Sequence, residues 1–204
     1  MKLLKSLVLV ASLAFASVSN ASLMFWLDPD VQPGTTGDDI TLTLMAGGLD
    51  DSAALSLGAF DLDILFDSSV LSFTGYTMFD DLGITSLFEA GDFSLGEYAP
   101  GIVGLSEVSF LSELELNSTQ PGEFALAELM FHVDLLDVPD FTIVSMRPGL
   151  FGFADAAGLS FTDVEMASAL IGTRQISNVP EPSTFALLVL AMFFVSYKRL
   201  LKVK

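Results

Sequence analysis

Residues 57–73, LGAFDLDILFDSSVLSF, predict two β-strands joined by a tight turn. Apolar side chains alternate with acidic ones through the first strand and its end: Phe60, Leu62, Ile64 and Phe66 against Asp61, Asp63 and Asp67. Because successive side chains of a strand point to opposite faces of its sheet, this alternation gives one apolar and one acidic face. Leu71 and Phe73 continue the pattern after the turn. Such a pair is typical of an antiparallel sheet with one buried face.

The same alternation recurs along the chain at the spacing of short strands and turns. Further strands are expected near residues 23–27, 40–44, 102–110, 125–135, 141–146, 151–154 and 161–171. Eight or nine strands in roughly 155 residues predict an all-β fold, an antiparallel sandwich. No internal repeat or long linker divides this region, so one domain is expected over residues 22–177.

Three blocks of this domain resemble cohesin-like domains. They are residues 33–42 (PGTTGDDITL), residues 57–73 and residues 121–133 (PGEFALAELMFHV). The resemblance implies a jelly-roll sandwich of about nine strands, related in fold to some carbohydrate-binding modules. It also implies a protein partner, since known members of the family bind dockerins. The blocks carry strand and turn patterning, so no partner-contact residue is transferred from them.

The first 21 residues predict a secretory signal peptide. Lys2 and Lys5 precede an apolar run from Leu7 to Val18, and the small residues of Ser19-Asn20-Ala21 follow. A basic start, an apolar segment and small residues at the cleavage point are the features that signal peptidase recognises. We therefore expect an exported chain that starts at Ser22.

Residues 178–204 resemble a PEP-CTERM sorting tail. The motif over residues 179–184 leads into an apolar segment over 185–197 and a basic end over 198–204. The motif residues are Val179, Pro180, Glu181 and Pro182, with Ser183 and Thr184 after them. The resemblance implies that the tail holds an exported protein in the inner membrane until an exosortase cuts near the motif and releases it to the cell surface or beyond.

The physical properties of the tail agree with a C-terminal transmembrane helix. Pro180 and Pro182 cannot continue a helix, so they separate the domain from the apolar segment. The segment spans roughly 20 Å of a hydrocarbon core about 30 Å thick, so Leu200, Leu201 and snorkelling lysines must complete it. The basic end favours a cytoplasmic C-terminus, with the domain on the other side. A single-span anchor that is never cut is the alternative, whereas the basic end argues against a lipid-anchor signal.

Charge excludes one class of partner. Six of the eight Lys and Arg residues lie in the terminal segments, which leaves Arg147 and Arg174 against 25 acidic residues within 22–177. This excess of negative charge repels phosphate backbones, so no nucleic-acid partner is expected, and cations or basic surfaces are favoured. The chain has no cysteine, so neither disulfides nor thiolate metal sites support the fold.

Paired acids raise the question of calcium, the one cofactor that the sequence suggests. The pairs that flank expected loops are the candidate ligands: Asp28, Asp30, Asp38 and Asp39. The segment that starts at Asp61 has Leu65 and Phe66 where an EF-hand needs an acid or amide and a glycine, so that motif fails. The competing interpretation is that the acids form turns and solvated strand faces.

Exposed aromatic rings would favour a carbohydrate ligand. The mature domain has only three Trp or Tyr residues as candidate platforms: Trp26, Tyr76 and Tyr98. The many phenylalanines are expected to fill the core, and Trp26, within an apolar strand, fits a core or edge position better than a platform.

Catalysis has little support in the sequence. The only histidine, His132, sits within an alternating strand, and no nucleophile elbow or metalloprotease motif is present. We therefore expect a non-enzymatic recognition or assembly module, exported and processed by signal peptidase and exosortase. The alternatives are a carbohydrate-binding protein of the exopolysaccharide matrix, with or without Ca²⁺, and a hydrolase with an unrecognised site.

Overall fold

The computed structural model describes residues 23–49, 56–136 and 140–172. The predicted signal peptide (1–21) and sorting tail (178–204) lie outside these residues, and so does the transmembrane helix predicted over 185–197. Among the residues that the structure describes, no helical segment has the length and hydrophobicity that a membrane span requires.

Strands make up most of the described chain. They are β1 (Leu23–Asp28), β2 (Val31–Pro33), β3 (Asp39–Gly47), β4 (Leu57–Leu65), β5 (Leu71–Met78), β6 (Ala90–Asp92), β7 (Gly96–Ala99), β8 (Ile102–Ser109), β9 (Glu123–Val133), β10 (Phe141–Asp155), β11 (Val164–Ala167) and β12 (Ala169–Gly172). A short 3-10 helix (Thr85–Leu87) precedes β6, and helix α1 (Glu113–Thr119) connects β8 to β9.

The strands form two sheets. The five-stranded sheet has the order β11-β1-β3-β9-β5, and the seven-stranded sheet has the order β2-β12-β10-β4-β8-β6, with β7 also paired to β8. Neighbours run antiparallel except for the parallel pairs β1–β11 and β2–β12. The all-β, two-sheet sandwich predicted from the sequence is confirmed.

Strand β4, which contains the alternating residues 57–65, lies inside the seven-stranded sheet between β10 and β8. Its apolar residues are buried in the core: Phe60, Leu62 and Ile64. Asp61 and Asp63 therefore occupy the outer face of this sheet, as the period of two requires. The sequence alternation thus determines both the core and the acidic outer surface of β4.

Aromatic contacts join the two sheets. Phe25 of β1 packs against Phe153 of β10 with ring centroids 4.6 Å apart. At the open edge, the hydroxyl of Tyr76 on β5 donates a hydrogen bond to Asp92 on β6 across 3.0 Å. The inner faces of both sheets therefore form one core, closed at this edge by a polar contact.

The number and direction of the strands differ from the predicted set of about nine antiparallel strands. Twelve strands lie in the described residues, because β2, β6 and β7 have three or four residues each, too few to produce an alternation in the sequence. The parallel pairs arise because β11 and β12, late in the chain, add beside β1 and β2. Hydrophobic alternation indicates which side chains share one face of a sheet, but it does not indicate whether neighbouring strands run parallel or antiparallel.

Gly101, in the turn between β7 and β8, is a position that requires glycine for two reasons, its backbone conformation and the lack of space for a Cβ. Its φ is +74°, and a Cβ there would lie 2.4 Å from the carbonyl oxygen of Phe66. We expect Gly101→Ala to lower the free energy of unfolding by about 2 kcal/mol in urea denaturation, from backbone strain and steric overlap. Gly96→Ala is the control, since φ is +64° but no atom lies within 4 Å of its Cβ. Equal losses at both sites would contradict the steric contribution.

Candidate functional site: a groove on the seven-stranded sheet

The outer face of the seven-stranded sheet carries an open groove of about 490 Å³. Its floor consists of outward-facing residues of β4 and β8: Asp61, Asp63, Gly104 and Ser106. In the antiparallel register Asp61 lies opposite Ser106, and Asp63 lies opposite Gly104. The acidic face predicted for β4 therefore forms part of the groove floor.

One wall of the groove is an excursion of strand β10. The pairing of β10 with β4 is interrupted between Pro148 and Phe153. Within the interruption Leu150 and Phe151 are 89% and 83% exposed, and Gly152 adopts a positive φ of 66°. Bulges of this kind redirect side chains and are frequent at functional sites. Two apolar side chains therefore line the groove instead of packing in the core.

The opposite wall comes from the connection between β6 and β7 and from β7 itself. Phe93, Leu95 and Tyr98 line the groove there and are exposed. The amide of Phe93 donates to the carbonyl of Ser106 at 2.8 Å, and the amide of Leu95 donates to the carbonyl of Gly104 at 3.0 Å. Backbone hydrogen bonds to the floor strand therefore fix this wall.

Two glycines allow side chains to lie directly on the backbone. A Cβ on Gly104 would lie 3.2 Å from the ring of Tyr98, and a Cβ on Gly149 would lie 2.4 Å from Oδ1 of Asp61. The amide of Phe151 also donates to Oδ2 of Asp61 at 2.8 Å. The excursion of β10 is therefore held against the floor through one carboxylate.

Arg147 places a positive charge in this acidic groove. It is the only Lys or Arg within residues 23–172. Its Nε and Nη2 both donate to Oδ2 of Asp63, at 2.9 and 2.7 Å. The hydrogen bond to Asp63 raises the pKa of Arg147, so the guanidinium stays charged. Because it carries five N–H donors, it can also bind an acceptor on a ligand.

The three aromatic residues proposed as a glycan platform lie in different places. Tyr98 is part of the groove wall. Trp26 belongs to the five-stranded sheet, where its ring covers Gly47. Tyr76 packs against the core at the sandwich edge and donates to Asp92. The structure therefore does not bring the three rings together on one surface.

Most groove residues were not identified from the sequence. Phe93 and Phe151 join Tyr98 around the groove, although phenylalanines were expected in the core. The available signal was the segment Gly149-Leu150-Phe151-Gly152, since an apolar pair between glycines suits a projecting bulge better than a buried strand.

The first pair of candidate calcium ligands, Asp28 and Asp30, lies exposed around the turn between β1 and β2. Asp28 pairs with Thr43 on β3. Asp39 begins β3, four residues before Thr43. Asp28 and Asp39 are therefore separated by roughly 13 Å along the strand. Within residues 23–49, 56–136 and 140–172, no three His, Asp or Glu side chains come together so as to hold a metal ion.

The second pair is engaged with neighbouring protein groups. Oδ2 of Asp38 accepts from the amide and the hydroxyl of Thr35, each at 2.8 Å, and the side-chain hydrogen bond from Thr35 lowers the pKa of Asp38. Asp39 contacts Nδ1 of His132 at 2.7 Å, and this hydrogen bond raises the pKa of His132. His132 is thus a strand residue paired across to β3.

No family model matches the sequence, and no curated protein matches it. Solved structures do match. CaCohA2 from Clostridium acetobutylicum has 16% identity and a TM-score of 0.57, over 79% of this chain and 96% of that one. The sixth cohesin of Acetivibrio cellulolyticus scaffoldin B, solved in complex with a mutant Cel5 dockerin, has 11% identity and a TM-score of 0.56, over 75% and 99%.

A third match is the Coh-OlpA–Doc918 complex, described as a type I cohesin–dockerin complex from Clostridium thermocellum. It has 12% identity and a TM-score of 0.55, over 74% of this chain and 98% of that one. At these identities the matches show the fold. The domain has a cohesin-like sandwich fold, which confirms this part of the sequence resemblance. The resemblance of residues 178–204 to a PEP-CTERM tail stays a prediction.

Proposed function

We propose that the domain is a non-catalytic recognition module that binds a protein partner across the groove of the seven-stranded sheet. The observation that carries the proposal is the gathering of exposed apolar side chains around one groove: Phe93, Leu95, Tyr98, Leu150 and Phe151. Exposed apolar groups collected in this way mark interaction surfaces. Two of the three matching structures described above contain a dockerin, which supports a protein as the partner.

The charge of the domain favours a partner with basic residues around an apolar centre. Residues 22–177 have 25 acidic side chains and two Arg, and opposite charge at the rim accelerates association. The apolar walls would supply most of the affinity, since buried aromatic side chains are the usual hot spots of an interface.

A carbohydrate ligand is the second candidate, and a specific arrangement favours it. The ring of Tyr98 lines the same groove as Asp61 and Arg147, so the groove offers an aromatic face, an acceptor and a donor to sugar hydroxyls. A further depression of about 330 Å³ extends the groove toward Val108 and Ala154. This candidate binds at the same place, so identification of the ligand separates the two.

Capture from the organism's extracellular fraction tests the proposal. Wild-type protein should retain a specific protein, and Tyr98→Ala and Phe151→Ala should each weaken retention at least about 10-fold, as expected for aromatic anchors. Met24→Ala is the matched control, because Met24 is an exposed apolar residue on the opposite sheet. Undiminished capture by both groove variants would refute the proposed surface, and retention of polysaccharide alone would favour the second candidate.

We also propose that the module is exported, held in the inner membrane and released outward by exosortase. Residues 1–21 and 178–204 support this route. Replacing both Pro180 and Pro182 with alanine should keep the protein in the membrane fraction, because the motif that precedes the cut is lost. Immunoblots of membrane and extracellular fractions measure this. Release equal to wild type would contradict exosortase processing, and membrane retention of the wild type itself would identify an uncut anchor.

A further inference from the structure

Glu107 is a buried acid that the groove itself does not use. It lies on β8 with its side chain inside the sandwich and is 0% exposed. Neither carboxyl oxygen has a hydrogen-bond partner in the described part of the chain. Its cross-strand neighbours are Phe60 on β4 and Asp92 on β6. An unpartnered carboxylate is strongly disfavoured in such a place, so the neutral acid is the stable form.

Neighbouring acids disfavour the ionised form further. Burial, followed by the charges of Asp92, Asp80 and Asp81, raises the pKa of Glu107 from 4.5 to about 8. Asp80 and Asp81 belong to the turn after β5, and Asp92 belongs to β6. Glu107 therefore changes charge in mildly alkaline solution, next to three other carboxylates.

Among the described residues, no positively charged side chain faces Glu107 from the elements packed around it. On β4, Asp61 and Asp63 face the groove, and on β10 Arg147 pairs with Asp63 there. Glu89, which follows the 3-10 helix, and Glu115 of α1 are hydrogen-bonded within their own segments. From β5, Tyr76 supplies a neutral phenol whose pKa is raised by burial.

Asp92 connects this buried acid to the groove wall. Its Oδ1 accepts from the amide of Ser94 at 2.9 Å, and its Oδ2 accepts from the hydroxyl of Tyr76 at 3.0 Å. The hydroxyl of Ser94 accepts in turn from the amide of Ser106 at 3.0 Å. Asp92 therefore holds both the start of the wall over residues 93–95 and the contact that closes the sandwich edge.

We propose that Glu107 is a proton-operated latch for the groove wall of residues 93–95. With Glu107 neutral, Asp92 keeps its two hydrogen bonds and the wall stays on β8. When Glu107 gives its proton to water, two like charges stand opposite each other on β8 and β6, which destabilises the pair. The wall then loosens and the groove binds its ligand less tightly. This inference rests on the proposed function and adds its regulation.

Hydrogen exchange of the full-length protein tests the latch without any ligand. Protection of the amides of Phe93, Leu95 and Ser106, corrected for the intrinsic rate at each pH, should fall at least about 10-fold between pH 6.5 and 9, with a midpoint near 8. Glu107→Gln should keep the protection constant. Glu165→Gln, an exposed change on the five-stranded sheet, should behave as wild type.

If the amide protection of the wild-type protein shows no transition between pH 7 and 9, the latch is overturned. This result comes from the wild-type protein alone, so it does not depend on whether a variant folds. An equal fall in Glu107→Gln would overturn it as well. So would a gain of protection with Ca²⁺ that Glu107→Gln abolishes, since Glu107 would then be a cation ligand. If a partner binds the groove with pH-independent affinity, the latch fails and the proposed function stands. If protection of the wall depends on pH as described but the groove variants Tyr98→Ala and Phe151→Ala retain the partner as well as wild type, the proposed function fails and the latch stands.

Discussion

Replacing Phe131 with alanine should lower the free energy of unfolding by about 3–5 kcal/mol, the range found for removal of a buried aromatic ring. Phe131 is fully buried in β9. Its ring meets those of Phe66 and Phe73 edge-on, with centroids 5.2 and 5.6 Å away. The substitution removes apolar burial, both aromatic contacts and the volume that the ring fills. Urea denaturation measures the loss.

The matched control for this change is Phe141→Ala. Phe141 starts β10 and is 48% exposed, so its truncation should cost less than about 1 kcal/mol. Similar losses at Phe131 and Phe141 would contradict the central packing position of Phe131. An unchanged denaturant slope in both variants would show that the comparison concerns stability and not the compactness of the unfolded chain.

Raising the pH from 6 to 9 should lower the stability of the wild-type protein by roughly 2–3 kcal/mol through Glu107 alone. The pKa of this group is about 8 in the folded protein, against 4.5 as the reference value. Between these values the folded state binds more protons than the unfolded state, so the contribution is fully present below pH 4.5. It is lost as the pH rises through 8.

Glu107→Gln should remove this pH dependence, because the amide does not titrate. Denaturant midpoints of wild type and Glu107→Gln are compared from pH 6 to 9. The test is the change of stability with pH in each protein, and not the absolute stability of the variant. Glu128→Gln, on the outer face of the five-stranded sheet, should retain the wild-type slope. A slope in Glu107→Gln as steep as in wild type would show that other groups cause the dependence.

The alternation along the chain predicted the sandwich, and its part in residues 57–73 predicted the acidic face of β4. It succeeded because the period of two constrains which side chains can share a buried face, and Phe60, Leu62 and Ile64 all lie in the core. The resemblance of the same residues to cohesin-like domains agreed with this prediction. Strand order and direction could not be read in this way, since they depend on pairing between residues far apart in the chain.

The groove was only partly predictable. Tyr98 was among the candidates, but Phe151 is exposed because β10 leaves its pairing with β4, and no local periodicity encodes that interruption. The burial of Glu107 could not be predicted either, since in the sequence Glu107 resembles any polar residue of an alternating strand. Helix α1 did carry a local signal, the capping box between Ser112 and Glu115, in which each side chain bonds the other residue's backbone amide.

A hydrogen-exchange footprint of the captured partner on the full-length protein tests recognition through the groove most directly. With the partner in saturating amount, exchange should slow in both walls, residues 93–98 and 148–152, and stay unchanged on the outer face of β3 and β9. Protection confined to β3 and β9, with neither wall affected, would contradict a recognition surface on the seven-stranded sheet.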